Sequence, residues 1–462
     1  MKRNLAIKFL SLALIVAGAA FLGYFFGFNL HQILAICTFT ASILGALLFW
    51  NFRLSFAFLG CSILLLCRVI TIDEFIRFSS MEVIFFLIGM MILAGFLKEV
   101  GFFNWIISRT LIIKNLNSKK FLFLLIICSA LLACLIDEVS SIVFMLMIIF
   151  ELCDYYEVDP KPFVISSVFA TNIGSAGTVI GNPIGILIAT KASLTFEDFL
   201  VHSFPIMLIN LVVLAVILMV IFKKPLKELD EKIKLYEPNE YLFRLLNIPA
   251  EKKIKIGMIF FLAAITLISF HHRIELLFGL KTDTILLIAP LIISSIIMIW
   301  RREKARTYVE KDVEWWTLLF FIFLFAQAGV LSYLGVAQDI AKNLLSVFAN
   351  NINGLIAVVL MGGAFISSIL DNVVVVTAFI PIIKSMNSIL QSDGILWWAL
   401  LFGACFGGNI TIIGSTANII AIGKLEKDRN QTISFFEWLK VGLIVGLITL
   451  VFVFIIFIIN PL

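Results

Sequence analysis

Charged residues are scarce in this sequence of 462 residues, because Asp, Glu, Lys and Arg make up 14% of it and apolar residues 61%. In a soluble globular domain about a quarter of the residues are charged. The composition of this chain therefore excludes a soluble protein, a disordered chain and a nucleic-acid-binding arm. A helix that crosses a membrane needs about 20 apolar residues. The chain therefore has room for more than about ten such helices but for no sizeable soluble domain, and we predict an all-α polytopic membrane protein.

Histidine, cysteine and the motifs of nucleotide-driven or hydrolytic chemistry are also sparse. The four histidines lie near helix ends or in loops, and the seven cysteines lie mostly within apolar runs, with no CxxC or Cys/His spacing. We interpret these cysteines as small packing residues rather than as disulfides or metal ligands. The sequence has no Walker lysine, GxSxG elbow or HExxH motif, which mark ATPases and the commoner hydrolases. We therefore predict a protein that is not an enzyme, needs no cofactor and binds no nucleic acid.

Basic residues cluster in two places and set the predicted topology. The one long polar linker, residues 223–255, carries nine Lys and Arg against six Asp and Glu, and a second basic cluster follows residue 300. Loops rich in Lys and Arg stay in the cytoplasm, so both clusters are predicted to be cytoplasmic. Counting helices back from the linker places the N-terminus in the cytoplasm as well, provided that residues 121–150 form a re-entrant hairpin rather than a single crossing.

Apolar runs predict about eleven membrane crossings. The first is an extra N-terminal transmembrane helix within residues 1–28, although its AGAA segment could alternatively be a signal-peptidase site. The other single crossings are predicted near residues 30–50, 54–70, 83–97, 204–222, 256–270, 284–300, 316–334 and 441–459. Residues 101–120 mix aromatic and basic side chains and predict a helix on the membrane surface. We expect a similar helix to end near residue 350, and we predict that the protein lies in the lipid bilayer of the plasma membrane.

The two halves of the sequence resemble each other at a nearly constant spacing. AGFLKEVG at 94–101 matches AGVLSYLG at 328–335, and LIDEV at 135–139 matches ILDNV at 369–373, in both cases 234 positions later. GTVIGNPIGI at 177–186 matches ITIIGSTANI at 410–419, which lies 233 positions later. Because the topology sends equivalent helices across the membrane in opposite directions, we predict inverted repeats: repeat 1 at residues 29–222 and repeat 2 at 256–462, joined by the linker at 223–255. Inverted repeats with broken helices are typical of secondary transporters.

Each repeat is predicted to contain a re-entrant hairpin, near residues 121–150 and 353–390, with polar residues at its tip. The tips hold Asp137 and Glu138 in repeat 1 and Asp371 and Asn372 in repeat 2. A carboxylate in the bilayer core costs several kcal/mol, so such residues usually have a partner or a function. Asp and Asn are also preferred N-caps, but a capping carboxylate can still bind a cation. We therefore predict that these four residues couple transport to Na⁺ or H⁺, and we predict no other metal site.

Each repeat is also predicted to contain a broken helix, at residues 163–191 and 396–424. Both breaks are rich in Gly, Asn, Ser and Thr, and Pro183 disfavours a helical conformation at Asn182. Unwound backbone offers carbonyls to Na⁺ and helix N-termini to anions, whereas close packing of small residues is the alternative explanation. At the breaks themselves we predict substrate binding by Asn182, Ser415, Thr416 and Asn418.

Four segments carry a resemblance to a known superfamily: LIDEVSSIVFM, ATNIGSAGTVIGNPIGILIA, LDNVVVVTAFIP and WWALLFGACFGGNITIIGSTANIIAIG. They resemble the ion transporter superfamily, especially the branch of arsenite permeases, sodium/proton antiporters and P proteins. The divalent anion/sodium symporters are more distant relatives. With the order of hairpins and broken helices included, the resemblance spans nearly the whole chain. It implies that the protein forms a homodimer. It also implies that, within each subunit, one domain moves against the other.

The resemblance also implies roles for particular residues. In the superfamily the hairpin tips bind ions and the broken helices line the ion and substrate sites. The residues at the broken-helix positions here are Thr178, Gly181, Asn182 and Pro183, followed by Thr411, Gly414, Ser415, Thr416 and Asn418. The sequence departs from the superfamily at Glu138, where Asn is usual, at Asn182, where antiporters often have Asp, and at residues 184–185, where Pro-Asn is usual. A second carboxylate beside Asp137 tends to hold one proton, which points to proton coupling.

These observations together predict an ion-coupled secondary transporter that moves a small anion, such as arsenite or another inorganic or organic anion, by an elevator-type movement. A sodium/proton antiporter without a separate anion is the nearest alternative. A membrane-embedded enzyme and a passive channel are the remaining alternatives from other classes.

Overall fold

The computed structural model describes residues 2–49, 52–103, 105, 117–235, 251–348, 351–390 and 394–459, with side chains from residue 6 onward. All regular structure in these residues is helical. The helices of the first half are α1 (Lys2–Phe25), α2 (Leu30–Leu48), α3 (Arg53–Leu66), α4 (Ile72–Phe78), α5 (Met81–Glu99), α6 (Ser118–Leu135), α7 (Glu138–Tyr156), α8 (Lys161–Gly174), α9 (Pro183–Ala192), α10 (Phe196–Ile221) and α11 (Lys223–Leu235). The helices of the second half are α12 (Lys252–Ser269), α13 (His271–Phe278), α14 (Thr284–Trp300), α15 (Trp315–Tyr333), α16 (Val336–Phe348), α17 (Ile352–Ser367), α18 (Asn372–Leu390), α19 (Ile395–Gly407), α20 (Thr416–Arg429) and α21 (Phe435–Ile459).

Nine helices in the described part of the chain are long and apolar enough to cross a membrane. Helices α12 and α13, which bend by 65° at their junction, are together long and apolar enough to count as a tenth. The crossings predicted near residues 54–70 and 284–300 correspond to α3 and α14, which are shorter apolar helices of 14 and 17 residues. The prediction of an all-α polytopic membrane protein is confirmed. The nine helices include α6, α7 and α18 of the predicted hairpins, which are not among the eleven predicted crossings, so the number of crossings stays a prediction.

Helix α1 lies at the periphery of the molecule, whereas α5 and α6 lie at its centre. Only 6% of the most apolar 18-residue window of α1 is buried, compared with 67% in α5 and 61% in α6. The extra N-terminal helix predicted within residues 1–28 therefore exists as a helix with outward-facing apolar side chains. Such a surface suits a helix that is surrounded by lipid rather than by protein.

The first hairpin, formed by α6 and α7, is longer than the predicted range of 121–150. Its outer ends are polar, so hydropathy missed them, and local caps define them instead. Asn117 accepts a hydrogen bond from the backbone N–H of Lys120 at 2.8 Å, and Glu157 ends α7 in the left-handed region with a φ of 51°. At a rise of about 1.5 Å per residue, each helix is nearly as long as the hydrocarbon core is thick. The helices are thus longer than the two short ones expected from a run of 30 residues, and re-entrance into the membrane stays a prediction.

The polar linker begins with an amphipathic helix, α11, that packs against the base of the first hairpin. Leu226 and Leu229 are buried, and the carboxylate of Asp230 accepts a hydrogen bond from the backbone N–H of Ser118 at 2.7 Å. Lys232 forms an ion pair with Glu157 at 3.0 Å. Residues 236–250 of the linker lie outside the described residues.

The two predicted surface helices differ in how much of them can be described. Most of residues 101–120 lies outside the described residues. Their counterpart is α16, whose apolar residues Ala337, Ala341 and Leu345 are buried along one face. This amphipathic character agrees with the prediction, and the position of α16 at the membrane surface stays a prediction.

The two halves pack in the same way around their broken helices. In the first half α8 lies against α6, so that a side-chain carbon added at Gly174 would overlap the backbone of Ala130. In the second half α19 lies against α17, and a carbon added at Gly407 would overlap the backbone of Ala364. Each residue of the second pair lies 233 or 234 positions after its counterpart. The sequence repeat thus corresponds to repeated packing, while the opposite orientation of the two repeats stays a prediction.

Candidate functional site

The carboxylates of both hairpin tips cap the helix that follows them. Asp137 lies in extended backbone before α7 and accepts a hydrogen bond from the backbone N–H of Ser140 at 2.7 Å. Asp371 accepts one from the backbone N–H of Val373 at 3.1 Å. Capping therefore accounts for part of the pattern in the sequence. Neither carboxylate is fully buried, and each has oxygen lone pairs beyond the capping bond.

The two tips contact each other directly. The side-chain amide of Asn372 donates a hydrogen bond to a carboxylate oxygen of Glu138 at 3.4 Å, and both residues are buried. Asn372 lies 234 positions after Glu138, so the two residues occupy equivalent positions in the two repeats. A residue that contacts its own counterpart is the mark of a two-fold relation between two units.

The second tip has a hydrogen bond that the first does not share. The hydroxyl of Thr416, the first residue of α20, donates to the other carboxylate oxygen of Asp371 at 2.6 Å. The residue 233 positions earlier is Pro183, the first residue of α9, and proline has no side-chain donor. The carboxylates of Asp137 and Asp371 are therefore held differently.

Both broken helices unwind where the sequence predicts. The first break runs from 175 to 182, between α8 and α9, and the second from 408 to 415, between α19 and α20. In each break a threonine hydroxyl donates to a hairpin carbonyl: Thr178 to Cys134, and Thr411 to Ser368. Gly181 and Gly414 pack closely against the backbone of their own breaks. These four predicted residues thus hold the shape of the breaks.

The residues that start α9 and α20 reach across to the other repeat in a reciprocal manner. Asn182, the N-cap of α9, donates to the sulfur of Cys405 at 3.2 Å. Ser415, the N-cap of α20, donates to the side-chain oxygen of Asn172 at 3.0 Å. Ser415 is the repeat counterpart of Asn182, and Cys405 is the counterpart of Asn172, because the residues of each pair lie 233 positions apart. Two equivalent contacts therefore tie the broken helices together.

A buried network of asparagines lies behind these contacts, and the sequence prediction missed two of its members. The amide of Asn172 donates to Asn409 at 2.8 Å and to Asn418 at 2.9 Å, while Asn418 donates to the carbonyls of Gly408 and Thr411. The asparagines are at most 1% exposed. The sequence signal that could have identified Asn172 and Asn409 is their position beside the glycines that flank the breaks.

A cavity of about 290 Å³ opens beside the hairpin tips. Its lining includes six of the predicted site residues: Asp137, Glu138, Asn182, Pro183, Asp371 and Thr416. The other predicted residues lie behind this lining, among the contacts described above. The remaining wall comes mainly from α5 and from the start of α15.

The cavity is strongly acidic. Asp312 and Glu314, just before α15, bring the number of carboxylates in its lining to five, whereas Lys98 and Lys311 are its lysines. Burial raises the pKa of Asp312 above its ordinary value of 3.8, and the charge of Glu99 acts in the same direction. The sequence prediction missed Asp312 and Glu314 because they follow the basic cluster, which was interpreted in terms of topology alone.

The sequence is similar to known transport proteins over most of its length. The profile of the citrate transporter family (CitMHS) matches residues 40–403 and 328–461. An uncharacterised transporter of Mycobacterium bovis is 30% identical over 379 residues, which cover 80% of this chain and 83% of the relative. The 46 kDa membrane protein of Mycobacterium leprae is 30% identical over 380 residues, covering 80% and 84% respectively.

The P protein of Mus musculus is 27% identical over 440 residues, which cover 80% of this chain and 52% of that relative. The resemblance to the P protein branch of the ion transporter superfamily is therefore confirmed. The chain belongs to the citrate transporter family of membrane transport proteins.

Proposed function

We propose that this protein is an ion-coupled secondary transporter that moves a small anion. The observation that carries the proposal is the hydrogen bond between Asn372 and Glu138. It joins the two hairpin tips, whose carboxylates Asp137 and Asp371 line the same cavity. Convergence of two repeats on a central polar cavity is the arrangement by which secondary transporters bind their substrates.

The acidic lining supports a bound coupling cation, Na⁺ or H⁺. Five acidic side chains against two lysines line this wall. In a setting of low dielectric constant an ionised carboxylate attracts a cation more strongly than it does in water, and a protonated one already holds H⁺. We assign the coupling ion to the tip residues Asp137, Glu138, Asp371 and Asn372.

The starts of α9 and α20 support contact with an anion. Asn182, Pro183 and Thr416 line the cavity at helix N-termini, where the backbone carries a partial positive charge. We assign substrate contact to these three residues, and a supporting role in the breaks to Thr178, Gly181, Thr411, Gly414, Ser415 and Asn418. The name of the family makes citrate the first anion to test, with arsenite, from the resemblance in the motifs, as the second.

The wider arrangement is proposed from the resemblance and from the distribution of charge. The protein would be a homodimer in the plasma membrane with a cytoplasmic N-terminus, and the hairpins and broken helices would move together against the other helices.

The test is uptake of radiolabelled citrate and arsenite into proteoliposomes under imposed gradients of Na⁺ or H⁺. We expect wild-type protein to accumulate one of these anions against its gradient, and Asp371→Asn to lose the dependence on the ion. Asp73→Asn, which changes an exposed carboxylate in α4, serves as the matched control and should behave as wild type. Absence of ion-driven uptake of either anion by wild type, or unchanged uptake and ion dependence in Asp371→Asn, contradicts the proposal.

A sodium/proton antiporter is the second candidate, because five carboxylates in the cavity lining favour cations. A pH-sensitive dye inside proteoliposomes separates the two functions. Proton movement driven by Na⁺ with no anion present indicates an antiporter, whereas proton movement that requires citrate or arsenite indicates anion transport.

A further inference from the structure

A second, smaller cavity of about 100 Å³ also has Asp371 in its lining. Asp371 lines both cavities, and Arg53 is the other charged residue in the lining of the smaller one. The rest of the lining is apolar: Ala46, Leu47, Ile369, Leu370, Val374, Ile413 and Ile419. The small cavity thus places one cationic and one anionic side chain in otherwise apolar surroundings.

Arg53 is held firmly in this position by α15. It is only 6% exposed, its guanidinium donates to the hydroxyl of Thr317 at 3.3 Å, and it lies 5.0 Å from the ring centroid of Phe320. Among the described residues, Asp371 and Glu314 are acidic groups close enough to act on its charge. A guanidinium is always charged and its planar fork matches a carboxylate or oxyanion, so a buried arginine beside a cavity is suited to hold an anion.

This arrangement occurs only once within the described repeats. The residue 234 positions after Arg53 is Leu287, and the residue 234 positions before Glu314 is Ser80. Packing of the repeated architecture alone does not require a buried arginine, since the other half does without one. A charge that the symmetric scaffold does not need is a candidate for a role in binding.

We propose that Arg53 binds the transported anion in the small cavity, beside the coupling cation at Asp371. The inference rests on the proposed function, and it identifies Arg53 as the residue that binds the anionic group of the substrate. A water takes about 30 Å³ of liquid volume, so the cavity has room for about three waters. It therefore fits a small oxyanion or one carboxylate group of a larger anion.

The position of Asp371 gives a reason for coupling. An ionised Asp371 repels an anion that approaches Arg53. Once a cation is bound at Asp371, the cation and Arg53 both attract the anion, so each ligand raises the affinity for the other, as linkage requires.

The experiment is equilibrium binding of citrate and of arsenite to the purified full chain, with and without Na⁺ and at several pH values, together with uptake in proteoliposomes. For the anion that wild type transports, we expect Arg53→Gln to raise both Kd and KM by at least about tenfold, because a charge-assisted hydrogen bond is lost. Arg53→Lys should recover part of the loss, since it keeps the charge without the fork. Asp371→Asn should bind the anion equally well with and without the cation.

Arg77→Gln, on the exposed part of α4, is the matched control and should bind the anion as wild type does. If Arg53→Gln fails to fold, Ile413→Trp carries the test, because Ile413 is 41% exposed and lines the small cavity; the larger ring should fill the cavity and weaken binding. Wild-type Kd and KM in whichever of these two variants folds would overturn the role of Arg53. Ion-coupled uptake by wild type tests the proposed function separately. Wild-type Kd and KM in the variant would therefore overturn this inference and leave the proposed function unaffected.

Discussion

Asn372 donates its hydrogen bond to Glu138 across a sequence distance of 234 residues, and the two residues are counterparts in the two repeats. One is an amide and the other a carboxyl group, so only one side of the contact that joins the hairpins can be ionised. A change to either residue acts on both tips at once.

Glu138→Gln should keep the fold and alter the ion dependence. The glutamine oxygen can still accept the hydrogen bond from Asn372, but the negative charge is gone. We expect the concentration of coupling ion at half-maximal uptake to rise by about tenfold or more, since a charge-assisted interaction is removed. Glu151→Gln, an exposed position on the same helix, is the control. An unchanged ion dependence of Glu138→Gln would contradict the assignment.

Thr416→Val removes the 2.6 Å hydrogen bond to Asp371 while keeping the shape of the side chain. A hydrogen bond to a charged group contributes about 1.5–3 kcal/mol. We therefore expect a fold that is intact and an affinity for the coupling ion that changes by about tenfold, measured by ion titration of uptake. Thr190→Val is the control, because that hydroxyl bonds only to carbonyls one turn earlier in α9. Equal titrations for the two variants would show that the hydrogen bond from Thr416 does not tune ion binding at Asp371.

Asn172→Ala should destabilise the protein more than an ordinary surface change. It removes two donated bonds and one accepted bond and leaves Asn409, Asn418 and Ser415 with buried polar groups that lack this partner. Each such group costs about 1–3 kcal/mol. The measurement is the thermal unfolding of purified protein in detergent, with the exposed Asn343→Ala as the control. A melting temperature equal to that of Asn343→Ala would show that the network contributes little.

Gly407→Ala and Gly362→Ala form a matched pair, because both glycines lie in the α17–α19 helix pair. An added carbon at Gly407 overlaps the backbone of Ala364, whereas at Gly362 it meets no atom within 4 Å. Overpacking costs about 1–3 kcal/mol, while alanine in an open helical position gains about 0.5–1 kcal/mol. We expect a lower melting temperature for the first variant and an equal or higher one for the second. The reverse order would contradict the close packing of the two helices.

The stability contributed by Asp312 should depend on pH. Its pKa is raised in the folded protein, above the ordinary value of 3.8, chiefly by burial. The folded state therefore binds the proton more tightly, and the cost of ionising Asp312 appears as the pH rises through its folded pKa. Relative to wild type, Asp312→Asn should be more stable at neutral pH than at about pH 4, as measured by thermal unfolding, with the exposed Asp73→Asn as the control. A pH-independent difference between wild type and Asp312→Asn would contradict this.

Much of the architecture could be predicted because it follows from local pattern. The hairpin at Asp137 and the break before Pro183 are visible in the sequence, since a carboxylate within an apolar run and a proline after small polar residues both interrupt a helix for local reasons. The repeat at a spacing of 234 residues added the counterpart at Asp371.

The features that could not be predicted depend on which residues meet in space. Arg53, Asp312 and Glu314 lie at helix ends or beside a basic loop, where position along the chain suggests solvent or lipid headgroups. In the folded chain Asp312 and Glu314 meet both hairpin tips in the larger cavity, and Arg53 meets Asp371 in the smaller one. The ends of α6 and α7 were missed for a different reason, because caps and not hydropathy fix them.

The reciprocal contacts of Asn182 with Cys405 and of Ser415 with Asn172 have a thermodynamic consequence. In the proposed movement the hairpins and broken helices travel together, so both contacts join parts of the same moving unit and stay intact at both ends of the transport cycle. Contacts of this kind cancel in the free-energy difference between the inward-open and outward-open states. That difference then depends on the contacts between the moving unit and the other helices, where about 1.4 kcal/mol changes the ratio of the two states tenfold.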